Sequence, residues 1–144
     1  MPHRLIREII DRRPTPTASP SATVRDAAVI MREFHSSAVL VVEDGIVAGI
    51  VTERDLVFGI LAAERDPLRT QVGAIMTRTV QTIGPDKPFG HALHLMYEGG
   101  FRHVPVVDRE GRPLGLLAAH DAIDTDSVVL QQELVRREEI TMIL

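Results

Sequence analysis

The sequence predicts an α+β fold, sandwich-like, made of two β-α-β-β-α repeats related by a pseudo-twofold axis, with a short N-terminal and a longer C-terminal helical extension. Two observations carry that prediction. The first is an internal repeat: displacing the chain by 65 places sets Ile10 on Ile75, Thr17 on Thr82, Pro20 on Pro85, Ala27 on Ala92, Met31 on Met96 and Val41-Val42 on Val106-Val107. One extra residue in the second hairpin turn moves the offset to 66, and Gly45 then meets Gly111, Gly49 meets Gly115 and Asp55 meets Asp121. The second is that each copy alternates helical apolar spacing with short β-branched runs in the same order. A unit of this length buries only about 60% of its chain surface and is marginal alone, so two copies sharing a sheet face are expected.

Along the chain, His3–Arg13 places Leu5, Ile6, Ile9 and Ile10 on one face of a short helix. Each repeat opens on an extended piece, Thr15–Ala18 and Val80–Ile83, that ends at a Ser-Pro or Gly-Pro turn. An amphipathic helix follows, Val24–Phe34 and Phe89–Tyr97, then a buried-looking strand, Val39–Val42 and Val104–Val107. Tight turns at Glu43-Asp44-Gly45 and Asp108–Gly111 lead to second strands, Val47–Val51 and Leu114–Leu117, and to closing helices that start near Glu53 and Ala119. Polar Ala62–Thr70, with Asp66-Pro67, is a helix stop and linker. The expected division is 1–70 for the first repeat with its N-terminal helix, 71–126 for the second, and 127–144 for a helical tail capped by Asp126-Ser127. The apolar end Ile140–Leu144 is expected to pack against the body or a second subunit.

Composition removes several function classes. At 44% hydrophobic and 3% aromatic residues, the core must be largely aliphatic. The lack of cysteine excludes disulfides, thiolate metal sites and a cysteine nucleophile. A net charge of −4, with arginines scattered and Lys87 the only lysine, argues against nucleic acid. No run reaches the roughly 18 apolar residues of a membrane span, and Met1-Pro2-His3-Arg4 leads into no signal-peptide core. A soluble, cytoplasmic protein is expected.

The candidate chemistry lies in Gly49-Ile50-Val51-Thr52-Glu53-Arg54-Asp55-Leu56, where an apolar strand stops and a helix begins. Unpaired N–H groups and the positive dipole end at such a junction hold phosphate. Thr52 adds a hydroxyl, Arg54 a forked cation, and Asp55 a carboxylate able to accept two ribose hydroxyls. Thr-x-x-Asp is also a helix capping box, and both readings stand at this point.

With the duplicated unit in hand, the chain resembles a tandem CBS-domain pair, or Bateman module. The landmarks are Ile75-Met76-Thr77, Arg102–Asp108 (Arg-His-Val-Pro-Val-Val-Asp) and the Gly49–Leu56 junction, and the likeness spans roughly residues 6–124. It is similar to stand-alone bacterial two-CBS proteins. The resemblance implies a regulatory sensor, non-catalytic and needing no cofactor, that binds an adenosyl ligand between the repeats: AMP, ADP or ATP, with NAD or S-adenosylmethionine as further candidates. It implies a homodimer signalling through an effector protein. For a first site it implies Thr17 and Ala18 against adenine, Thr52 and Arg54 on phosphate and Asp55 on ribose. For a second it implies Thr82, Ile83, Arg102, His103, Val104, Pro105 and His120 with Asp121 on ribose. Ala118 departs from the pattern, replacing the hydroxyl of Thr52.

Two alternatives remain: a ligand-free dimerisation scaffold, and a metal-binding stress protein using His91 and His94, three apart on a helix, with His103 or His120. An enzyme is not indicated, since neither a nucleophile at a strained glycine turn nor a phosphate-binding loop is present, and Glu98-Gly99-Gly100 reads as a helix end.

Overall fold

The computed structural model describes residues 4–125, so the expected helical tail over 127–144, with its apolar end, lies outside the described residues. The first half runs α1 (Ile6–Ile10), β1 (Thr17–Ala18), α2 (Val24–Phe34), β2 (Ala38–Glu43), β3 (Ile46–Thr52) and α3 (Glu53–Leu56), which continues into a π-helical turn, Val57–Leu61. The second runs α4 (Val72–Ile75), α5 (Phe89–Gly99), β4 (His103–Val107), β5 (Pro113–Ala118) and α6 (Asp121–Thr125). The α+β class holds, and helix α2 has the bounds its periodicity gives. The closing helix of the second copy begins at Asp121, not Ala119, so His120 precedes its first turn.

Local chemistry explains the elements. Helix α2 starts at a complete capping box, Thr23 with Asp26, and ends at left-handed His35. Asp44 and Gly45, both at positive φ, close the β2–β3 hairpin. Strand β1 pairs in parallel with β2, and β2 antiparallel with β3. In the second half β4 pairs with β5, and Ile83 makes one parallel bridge to Val106 in the place that β1 occupies. The register slips at Val41/Val42 and again at Val106/Val107, so even the bulge is duplicated.

Three apolar layers result. Val24, Ala27, Met31, Val39, Val41 and Val51 fill the first half, and Phe89, Ala92, Met96, Val104, Val106 and Leu117 the second. Between the sheets lie Ala38, Leu40, Ile50 and Leu116, backed by Val42, Val47 and Val80.

The segment ahead of each repeat docks on the other one. Ile6 is buried in the second core, and Phe89 N donates to Arg4 O at 2.7 Å. In return Val72 is buried in the first core, where Val72 N donates to Ala22 O and Val24 N to Thr70 O. Gly49 and Gly115 admit these visitors: a Cβ at Gly49 would stand 2.7 Å from Thr77 O, and one at Gly115 2.8 Å from Ile10 Cγ2. This exchange places residues of one half beside the strand ends of the other.

Candidate functional site

The β3–α3 junction opens onto a cleft of about 660 Å³ between the halves. The first half supplies Ser37, Ile50 and Thr52–Asp55; the crossing segment supplies Thr77 and Thr79–Gln81; the α5–β4 turn supplies Gly100–His103. At the junction the capping box is formed. Thr52 N donates to Asp55 Oδ2 at 2.8 Å and Asp55 N to Thr52 Oγ1 at 3.3 Å, while Glu53 N donates to Ser37 O. The expected unpaired N–H donors are therefore mostly taken, and one α-turn gives way at once to the π-turn. What stays open is Asp55 Oδ1, which carries no hydrogen bond among the described residues. The Arg54 guanidinium lies 5.1 Å from the centre of the Phe58 ring.

The equivalent place in the second half is a cavity of about 130 Å³ near Ala118, His120 and Asp121, reached by Arg13, Pro14 and Pro16. Ala118 N donates to Asp121 Oδ2 at 2.8 Å, so the backbone half of the capping box survives without a hydroxyl. Asp121 needs no ligand to account for its place here.

The fold groups the candidates differently from the sequence. Arg102 sits with Thr52, Arg54 and Asp55, and His103 lines both clefts. Thr17 and Ala18 are held in β1, Ile83 and Val104 in the second core, and Pro105 is fully buried, so none of these lines either cleft; Thr82 is exposed beside the lining Val80 and Gln81. Arg13 and Ser37 were not anticipated. The repeat offered a signal for Arg13, which the 65-residue offset sets on Arg78 ahead of the extended piece; Ser37 falls on Arg102 and offered none.

Ser37 Oγ and His103 Nε2 lie 2.7 Å apart where the clefts meet. Burial, then the neighbouring His120, and to a lesser degree Arg102, push the His103 imidazole from its ordinary 6.5 down to about 4, against the pull of Asp121. The pair is a bridge between the halves. It does make stability pH-dependent. With the folded value below the unfolded one, the contribution is intact above about pH 6.5 and is lost as pH falls toward 4, because only the unfolded chain takes the proton. The difference corresponds to about 3 kcal/mol. Urea unfolding of wild type and His103→Gln at pH 7 and pH 4 should show the wild type losing that much more than the variant; parallel losses would refute it.

Among the described residues, no group of three or more His, Cys, Asp or Glu is placed to hold a metal ion, and His94 Nε2 instead meets Glu98 Oε1 at 3.1 Å. No helix among them is long and apolar enough to cross a membrane.

The CBS domain family profile matches the chain twice, over residues 6–62 and 72–127. The chain is 39% identical over 93 residues to a CBS domain-containing protein of Arabidopsis thaliana; the match covers 65% of this chain and 17% of that protein, about a sixth of the relative's length. It superposes on a solved protein with CBS domains from Burkholderia ambifaria with a TM-score of 0.78 and 33% identity, over 90% of this chain and 96% of that one. It is also similar to the CBS domain pair of protein MJ0100, solved with 5′-methylthioadenosine and S-adenosyl-L-methionine: TM-score 0.77, 28% identity, 88% of this chain and 98% of that one.

Proposed function

The chain belongs to the CBS-domain family, and on that premise we propose that it is a non-catalytic regulatory module holding an adenosyl ligand in the Thr52–Asp55 cleft and signalling its occupancy to a partner protein. The observation that carries this is the cleft of about 660 Å³ between the halves, inside the range of about 300–1,000 Å³ that small-molecule sites occupy. Both compounds in the MJ0100 complex contain adenosine. Asp55 Oδ1 is the acceptor for the ribose hydroxyls, and Ile50, Val80 and Phe101 are the apolar wall for adenine. Arg54 and Arg102 share the lining with Glu53 and Asp55, so a ligand tail is selected by where it lies among these charges.

Binding shifts a conformation only by the ligand's difference in affinity between states, about 1–3 kcal/mol in typical couplings, so an effector protein must read the change. A second copy suits the exposed apolar helix face of Val57, Phe58 and Leu61, the last 77% exposed. The same face favours one other reading, a dimer scaffold with vacant clefts, since the capping box already accounts for Thr52 and most of Asp55.

Thermal melts with AMP, ADP, ATP, NAD and S-adenosylmethionine separate the two. A true ligand at 100 times its dissociation constant adds about 2.7 kcal/mol and raises the midpoint. Unmoved melts with all five at millimolar concentration would leave the scaffold.

A further inference from the structure

We propose that Arg13 is the resident occupant of the second cleft, so that each chain takes one adenosyl ligand and not two; this rests on the adenosyl reading of the first cleft. Asp121 is only 2% exposed, and both its oxygens are engaged by one guanidinium: Arg13 Nη1 donates to Oδ1 at 2.8 Å and Nη2 to Oδ2 at 3.0 Å. Nη2 also donates to Leu116 O at 2.7 Å. These are the acceptors a ribose would need. In the first cleft the situation is reversed, because Arg78, the repeat counterpart of Arg13, turns to Gly73 O at 3.4 Å and leaves Asp55 alone.

The arginine is delivered by a segment that is already fixed. Helix α1 is anchored by buried Ile6, Arg13 N donates to Ile10 O at 3.1 Å, and Arg12 turns the chain at a φ of 58°. A guanidinium fork matched to a carboxylate makes two parallel bonds between opposite charges and is already tethered in the chain, whereas a ribose brings two hydroxyls with no charge and must be immobilised from solution. The ligand therefore loses the competition for Asp121, and the remaining cavity is much the smaller, about 130 Å³ against 660 Å³. Occupancy is signalled by the first cleft alone.

Equilibrium dialysis with labelled AMP, ATP and S-adenosylmethionine tests the count. Wild type should bind one per chain, Arg13→Gln two, and Arg13→Gln with Asp55→Ala one. If the Gln variant does not fold, Arg13→Lys replaces it, its single ammonium being unable to span both oxygens. Two per wild-type chain, or one in both wild type and the Arg13 variant, overturns the proposal and leaves the first-cleft reading standing. None in wild type but one in the variant keeps the latch and sinks the first-cleft reading; none in either sinks both. A wild-type crystal soaked with the tightest of the three should show Arg13 still on Asp121, and ligand density at Asp121 instead would overturn the latch.

Discussion

Asp55→Ala is expected to lower adenosyl affinity about a hundredfold while costing about 1 kcal/mol of folding stability. The two effects come from the two oxygens. Oδ2 accepts from Thr52 N at 2.8 Å, and losing a cap of this kind costs about 1 kcal/mol. Oδ1 has no partner among the described residues and is the one left for the ribose. A hydrogen bond to a charged group is worth about 1.5–3 kcal/mol, so two hydroxyls on the carboxylate amount to about 3 kcal/mol, or a hundredfold. The second half supplies an internal control: Ala118 N reaches Asp121 Oδ2 at the same 2.8 Å with no hydroxyl opposite. The acid's grip on the backbone thus does not depend on the threonine, and Thr52→Ala should cost about 1 kcal/mol, because Asp55 N loses its Thr52 Oγ1 acceptor, while leaving Asp55 in place. Isothermal titration with the best ligand from the melts, beside urea unfolding, checks both figures. A stability loss with affinity untouched would reduce Asp55 to a cap.

The repeat and its periodicities made the elements legible because they are set by local spacing: the apolar face of helix α2, Val24, Ala27 and Met31, lies between the Thr23 capping box and left-handed His35, all within the copy. The site was only half legible, for a physical reason. Thr52 and Asp55 are three apart in sequence and meet wherever the strand ends, but Arg102 joins them from the α5–β4 turn of the other half. Translating one copy onto the other conserves positions within a copy and says nothing about which copy supplies a neighbour. Hence the resemblance sets Arg102 beside Asp121, and nothing in the sequence sets Arg13, 108 residues away in the chain, on that carboxylate. The resemblance implies Asp121 on ribose; the arginine and the backbone N–H account for its place without one.

The layer between the sheets should control stability and ligand affinity together, and Leu40→Ala is the substitution that shows it. Leu40 has no exposed surface and packs with Ala38, Ile50 and Leu116, with Val80 at the edge of the same cluster. Emptying a site of this kind costs about 3 kcal/mol through lost transfer energy and the residual void, a fall of about 10 °C in midpoint for a chain of this size. Ile50 and Val80 also line the larger cleft, so relaxation into the void displaces its apolar wall. Affinity should fall about tenfold as well. Val39→Ala is the matched comparison, since Val39 is as deeply buried but points into the first half's own core with Val24 and Met31. It should cost about 1–2 kcal/mol and leave the titration unchanged. Equal affinity losses per kcal/mol in the two variants would mean that the cleft responds to general loosening, and that the inter-sheet layer has no special hold on it.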